Sequence, residues 1–94
     1  MASGVQRFNG AFIGVAAEVN VAVVPFQPIS IRFYVDGGSA MEHGFKHESM
    51  SGSDYLSTST GTDAGVTINS DGFTVASGAD INVATATVFY ECEG

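Results

Sequence analysis

The sequence predicts an all-β protein of one domain. Three observations carry this: apolar residues recur with a period of two, turn signals separate the alternating runs, and the apolar residues are the kinds that strands favour. Val, Ile, Thr, Phe, Tyr, Ser and Gly are plentiful, whereas there is one leucine (Leu56), one lysine (Lys46) and no tryptophan. β-Branched and aromatic side chains suit a pleated, half-buried surface and lose rotamer freedom in a helix. No window keeps helical apolar spacing over about eleven positions without a glycine breaking it. Residues 1–94 are read as a single domain, because a chain this short has room for one core.

The elements follow in chain order. Glu18-Val19-Asn20-Val21-Ala22-Val23 alternates strictly and is stopped by Val24-Pro25-Phe26-Gln27-Pro28, where proline cannot donate to a ladder. Ile29-Ser30-Ile31-Arg32-Phe33-Tyr34-Val35 is the clearest core strand, with Ile29, Ile31, Phe33 and Val35 on one face. Asp36-Gly37-Gly38-Ser39 then supplies a tight turn. Residues 40–62 are poor in aliphatic side chains and rich in Ser, Gly and Thr, so they read as a long loop holding one short strand at residues 55–59. After Gly65 the alternation returns in Val66-Thr67-Ile68, Phe73-Thr74-Val75, Ile81-Asn82-Val83 and residues 85–92, with Asp71-Gly72 marking a hairpin. Both faces of the last strand carry bulk, which predicts cover on two sides. Ile31, Phe33, Val75, Val83 and Phe89 are the expected core. Short strands at this spacing imply a sandwich or a small barrel. A weak internal echo aligns residues 10–22 with residues 72–84, best in Ala17-Glu18-Val19-Asn20-Val21-Ala22 against Ala79-Asp80-Ile81-Asn82-Val83-Ala84, and two equivalent strand-turn-strand units would explain it.

Charge placement narrows the function. The formal net charge is −7, and residues 47–94 hold seven acids (Glu48, Asp54, Asp63, Asp71, Asp80, Glu91 and Glu93) with no base. Nucleic acid and anionic membrane are therefore poor partners. The turns around Asp63, Asp71 and Asp80 are expected to face solvent. Cys92 is the only cysteine, so a reducing compartment is the default expectation, and no stretch has the length of a signal peptide or a membrane span.

Few residues suggest chemistry. His43, His47, Glu42 and Glu48 lie within seven residues, but Gly44 interrupts them in a stretch that reads as loop, and no metal site is expected there. The aspartates lack EF-hand spacing, no Gly-x-Ser-x-Gly elbow follows a buried strand, and no phosphate-cradling loop is present. Neither catalytic residues nor a cofactor are expected. Tyr34, Tyr55 and Phe26 are read as exposed aromatics suited to an interface or to stacking on sugars, with the alternative that Phe26 plugs one end of the core.

Three stretches together carry a likeness: Phe8-Asn9-Gly10-Ala11-Phe12-Ile13-Gly14, Pro25-Phe26-Gln27-Pro28-Ile29-Ser30-Ile31-Arg32-Phe33-Tyr34, and Asp71-Gly72-Phe73-Thr74-Val75 through Asn82-Val83 to Phe89-Tyr90. The chain resembles small bacteriophage virion proteins, in which a Gly-x-Phe opening precedes a Gly-Phe-x-Pro corner and the chain ends in a Gly-Phe-Thr hairpin and an aromatic strand. Here Pro25 stands where the glycine is usual. The resemblance implies a non-catalytic capsid decoration or cement protein with a jelly-roll β-sandwich. It would be assembled in the host cytoplasm, sit on the virion surface as a homo-oligomer, a trimer, and clamp neighbouring major capsid protein subunits. The alternative it implies is a receptor- or carbohydrate-binding module of a fibre, spike or tail. The near-neutral segments 10–16 and 25–28 are the expected contact, with Phe26 as anchor and Pro25, Pro28 and Phe12 beside it.

Overall fold

A computed structural model describes residues 6–36 and 42–94 as two antiparallel sheets packed together, with no helix among them. The strands are β1 (Arg7–Ile13), β2 (Val19–Val21), β3 (Ser30–Asp36), β4 (Glu42–His47), β5 (Asp54–Ser57), β6 (Gly61–Ala64), β7 (Val66–Asn69), β8 (Gly72–Val75) and β9 (Thr87–Glu93). The larger sheet runs β1-β9-β3-β4-β5-β6 and the smaller one β2-β8-β7. The first strand pairs with the last and the second with the last but one, the nesting of a jelly roll. The roll is partial, because β3, β4, β5 and β6 continue as a meander.

The core lies between the sheets and is built by strand alternation. Ile31, Phe33 and Val35 of β3 and Val88, Tyr90 and Cys92 of β9 point inward and are buried, meeting Phe73 and Val75 of β8 and Val66 of β7. Phe73 is the hub: its ring lies edge-on to Phe33 at 5.3 Å and to Tyr90 at 5.0 Å, the geometry that aromatic quadrupoles prefer. Two close approaches depend on glycine. Gly10 lies beneath the Tyr90 ring, where a Cβ would fall 2.6 Å from the ring carbon Cζ. Gly72 has φ 151° and opens β8 so close to Val21 that a Cβ there would overlap the Val21 carbonyl oxygen.

Several expectations are corrected. Phe89 is 47% exposed, because β9 is covered on one side only and its Thr87, Phe89 and Glu91 face looks outward. Val83 is half-buried at the core margin, and Ile29 is exposed just before β3 begins. Tyr55 is fully buried instead of exposed. The expected short strand at residues 55–59 is β5, but the stretch otherwise read as a long loop also contains β4 and the start of β6. Conversely, Ile81-Asn82-Val83 is not a strand: the Asn82 side chain accepts from the Val15 N–H and donates to the carbonyls of Ala17 and Ala76, stitching two turns together. The internal echo is therefore not structural, since Val19–Val21 is a strand and its counterpart is not. The hairpin at Asp71-Gly72 is present, with Asn69 opposite Gly72. Residues 37–39 of the expected glycine turn lie outside the described residues, but β3 and β4 on either side pair antiparallel with Val35 opposite Glu42.

Candidate docking surface

The outward face of the larger sheet is open, and its register places side chains in rows. One row runs Ala11, Phe89, Tyr34, His43; the next runs Asn9, Glu91, Arg32, Phe45, Leu56. Phe89 and Leu56 are about half exposed, and Ile13 at the end of β1 is exposed too. Tyr34 meets His43 edge-on at 5.4 Å, the Arg32 guanidinium sits 5.9 Å above the Phe45 ring, and His47 stacks on Phe45 at 6.4 Å. A shallow depression between Arg32, Tyr34, His43 and Phe45 marks the middle of this face, and another lies between Arg7, Asn9, Arg32 and Glu91. Arg7 pairs with Glu93 at 3.5 Å, an exposed contact of small energetic value.

The arrangement explains the histidines. In β4 alternation sends His43, Phe45 and His47 outward and Glu42, Gly44 and Lys46 inward, so Glu42 is on the opposite side of the sheet from both imidazoles. Among the described residues no group of three or more His, Cys, Asp or Glu side chains is placed to hold a metal. His47 Nδ1 instead bonds the Ser49 hydroxyl at 2.8 Å.

The inward polar groups are engaged with the chain itself. Lys46, only 2% exposed, donates from Nζ to the carbonyls of Asp54 at 2.6 Å, Gly52 at 2.9 Å and Met50 at 3.4 Å. Burial lowers its pKa and the Asp54 charge opposes this in part. Glu42 accepts from the hydroxyls of Thr58 and Ser59 and from the Ser59 N–H. Burial acts to raise its pKa, but those donors outweigh it and hold the carboxyl below its ordinary value. Tyr55 donates to Asp63 Oδ2 at 2.7 Å, and burial followed by that carboxylate pushes the phenol pKa far up, so it keeps its proton. Asp80 accepts from Ser57 and Thr60. Asp63 and Asp80 are thus half-buried structural acceptors, a correction to their expected exposure, whereas Asp71 is exposed. Every buried side-chain nitrogen and oxygen among the described residues has a partner.

The proline corner sits at one end of the sandwich. Pro25 and Gln27 are exposed, Pro28 is buried and presents no surface, and Phe26 is half-buried with its ring against Gly94. Phe12 points inward from β1, half-buried against Phe73 and Tyr90. The four expected contact residues therefore do not form one exposed patch, whereas Phe89 in one outward row and Phe45 and Leu56 in the next lie on the open face and outside that set. Alternation gives no signal for either ring, because both phases of β9 carry bulk and the inward phase of β4 is Glu42, Gly44 and Lys46, no less polar than the phase that holds Phe45. No family profile, curated protein sequence or solved structure matches this chain.

Proposed function

We propose that the chain is a non-catalytic docking module, used as a small homo-oligomer that decorates a bacteriophage capsid and clamps neighbouring major capsid protein subunits. The observation that carries the docking part is the pair of rows that bring Phe89 and Tyr34 beside Phe45 and Leu56, an aromatic and apolar strip on a sheet face with Arg32 and Glu91 set into it. Aromatic and arginine side chains of this kind anchor protein contacts. The polar clusters give little to chemistry, since Lys46, Glu42, Tyr55, Asp63 and Asp80 are spent on bonds within the chain. The phage assignment rests on the resemblance of the Phe8-Asn9-Gly10, Pro25-Phe26-Gln27-Pro28 and Asp71-Gly72-Phe73 stretches.

Purified protein is added to capsids stripped of it, at low and at roughly molar salt, where the Debye length shrinks to about 3 Å. Apolar burial at about 25 cal/mol per Å² survives that screening. Parent protein is expected to bind at both salts, Phe89→Ser to bind weakly at both, and Phe26→Ala to bind nearly as the parent does. Loss of parent binding at high salt, or no binding to the shell at all, overturns the reading. The same aromatic strip favours one second reading, a carbohydrate-binding module, because sugar rings stack on exposed aromatics. Saturable glycan binding abolished by Phe89→Ser, with no affinity for the shell, would establish it.

A further inference from the structure

Sheet edges are where a β protein invites or refuses another strand. Among the described residues four strands end a sheet: β1, β6, β2 and β7. Three of them are defended by length, having three or four residues each, and β6 also turns the charged Asp63 inward toward Tyr55. β1 has none of these defences. It runs seven residues, pairs with β9 over its full length without a bulge, and contains neither proline nor lysine nor an inward charge.

The free groups of β1 can be assigned. The Gly94 N–H bonds the Gln6 carbonyl and the Gly14 N–H bonds the Ala86 carbonyl, so even-numbered residues aim their backbone groups at β9 and its continuation. Alternation then aims the N–H and C=O groups of Arg7, Asn9, Ala11 and Ile13 outward from the sheet. Antiparallel pairing of two copies centred on Gly10 opposes Arg7 to Ile13 and Asn9 to Ala11, so every outward group meets an outward group. In the same register Phe8 of one copy faces Phe12 of the other in a pair without backbone bonds, where side chains approach most closely. Both rings point inward and are only half-buried in one chain, and each would cover the other.

We propose that β1 pairs antiparallel with β1 of a second copy about a twofold axis at Gly10, joining the two larger sheets into one continuous sheet. Such a contact is isologous and closes on itself, so the solution species is a pair instead of the threefold unit that the resemblance implies. This goes beyond the docking reading and does not depend on it, because self-pairing is measured without any shell or glycan.

The experiment is sedimentation velocity over a concentration series with three variants. Ala11→Pro removes an outward N–H from an exposed edge position and no bond to β9, so it is expected to keep the parent circular dichroism and to sediment as a monomer. Ile13→Lys places a second positive charge opposite Arg7 of the partner copy twice per pair, and is expected to weaken pairing about tenfold, whereas Ile13→Glu at the same exposed site is expected to tighten it. Should Ala11→Pro fail to fold, the opposite signs of the two Ile13 variants decide the matter. A parent that stays monomeric up to about 1 mM overturns the proposal. So does a folded Ala11→Pro that still pairs, or two Ile13 variants that behave alike.

Discussion

Tyr55 and Asp63 stand opposite each other on neighbouring strands, and the phenol donates a 2.7 Å hydrogen bond to Asp63 Oδ2, which also accepts the Asp80 N–H at 3.0 Å. One carboxylate oxygen thus ties β5, β6 and the turn that carries Ile81 into the core. Without it the Tyr55 hydroxyl, whose ring is fully buried, loses its acceptor.

Acid is the first test of that tie. Burial acts to raise the Asp63 pKa, but the Asp80 N–H, the Tyr55 hydroxyl and the Ala64 N–H outweigh it and hold the group below its ordinary 3.8. Glu42 is held below its ordinary 4.5 in the same way. A carboxyl with a lower pKa in the folded chain stabilises the fold above its unfolded value, and that contribution is lost as pH falls through the folded value. Thermal midpoints are therefore expected to hold steady down to about pH 5 and to drop below about pH 4. Asp63→Asn should lower stability at neutral pH by about 1 to 2 kcal/mol and flatten the acid limb. An acid limb as steep as the parent's would place the titrating group elsewhere.

Phe33 and Phe89 form a second test, because they have the same side chain on adjacent strands and opposite exposure. Phe33 is fully buried against Phe73, so Phe33→Ala is expected to cost about 3 to 5 kcal/mol in urea unfolding. Phe89→Ala should change stability by no more than about 0.5 kcal/mol, since that ring stands on the open face. Similar losses for the two would mean that a second layer covers β9.

These two residues also show how far the sequence could be read. Alternation placed β3 and the β7–β8 hairpin because their inward positions are Ile31, Phe33, Val35, Val66, Phe73 and Val75, a plain period of two. β4 escaped notice because its inward positions are Glu42, Gly44 and Lys46, polar or empty residues that the fold satisfies with hydroxyls and carbonyls from the following loops. β1 escaped because Gly10 falls between Phe8 and Phe12, and its purpose is visible only with the Tyr90 ring above it. Phe89 was misplaced since bulk on both phases of β9 gives no indication of which side is covered. For the candidate surface, alternation in β3 gives the outward face of Arg32 and Tyr34, but which phase of β4 and of β9 looks outward is not given by their own residues, and which side chains lie beside Phe45 and Phe89 depends on register with Glu91, Arg32 and Leu56, distant in the chain.

Lys46 supplies a third test. Its ammonium draws the carbonyls of Met50, Gly52 and Asp54 around one point, so the turn after β4 is folded about an internal cation. Methionine retains the apolar stem but leaves the three acceptors without a donor. Removing one partner from a buried polar set exposes the others to their desolvation cost, and Lys46→Met is expected to lose about 2 to 3 kcal/mol. Hydrogen exchange should show the added opening confined to the amides of residues 47–55. An unchanged urea midpoint would mean that water replaces the ammonium at no cost.

The last test concerns Cys92, which lies inward on β9 opposite Phe8 and Ile31 and is fully buried. Burial pushes its thiol pKa up to about 11, because the apolar surroundings penalise the thiolate. The thiolate is the reactive form, and at pH 8 a group with that pKa is ionised to about one part in a thousand even before access is considered. Alkylation of the native protein by iodoacetamide is therefore expected to be slow and limited by opening of the strand, whereas protein in urea should react at the rate of an ordinary free thiol. Weakening the cover over β9 gives a graded check. Phe8→Ala removes one of the rings flanking that strand, and the native alkylation rate should rise as stability falls, while Phe89→Ala on the opposite face should leave it unchanged. Rapid alkylation of the parent under native conditions would show that β9 opens without global unfolding, and an acceleration by Phe89→Ala would contradict the assignment of Phe89 to the open face.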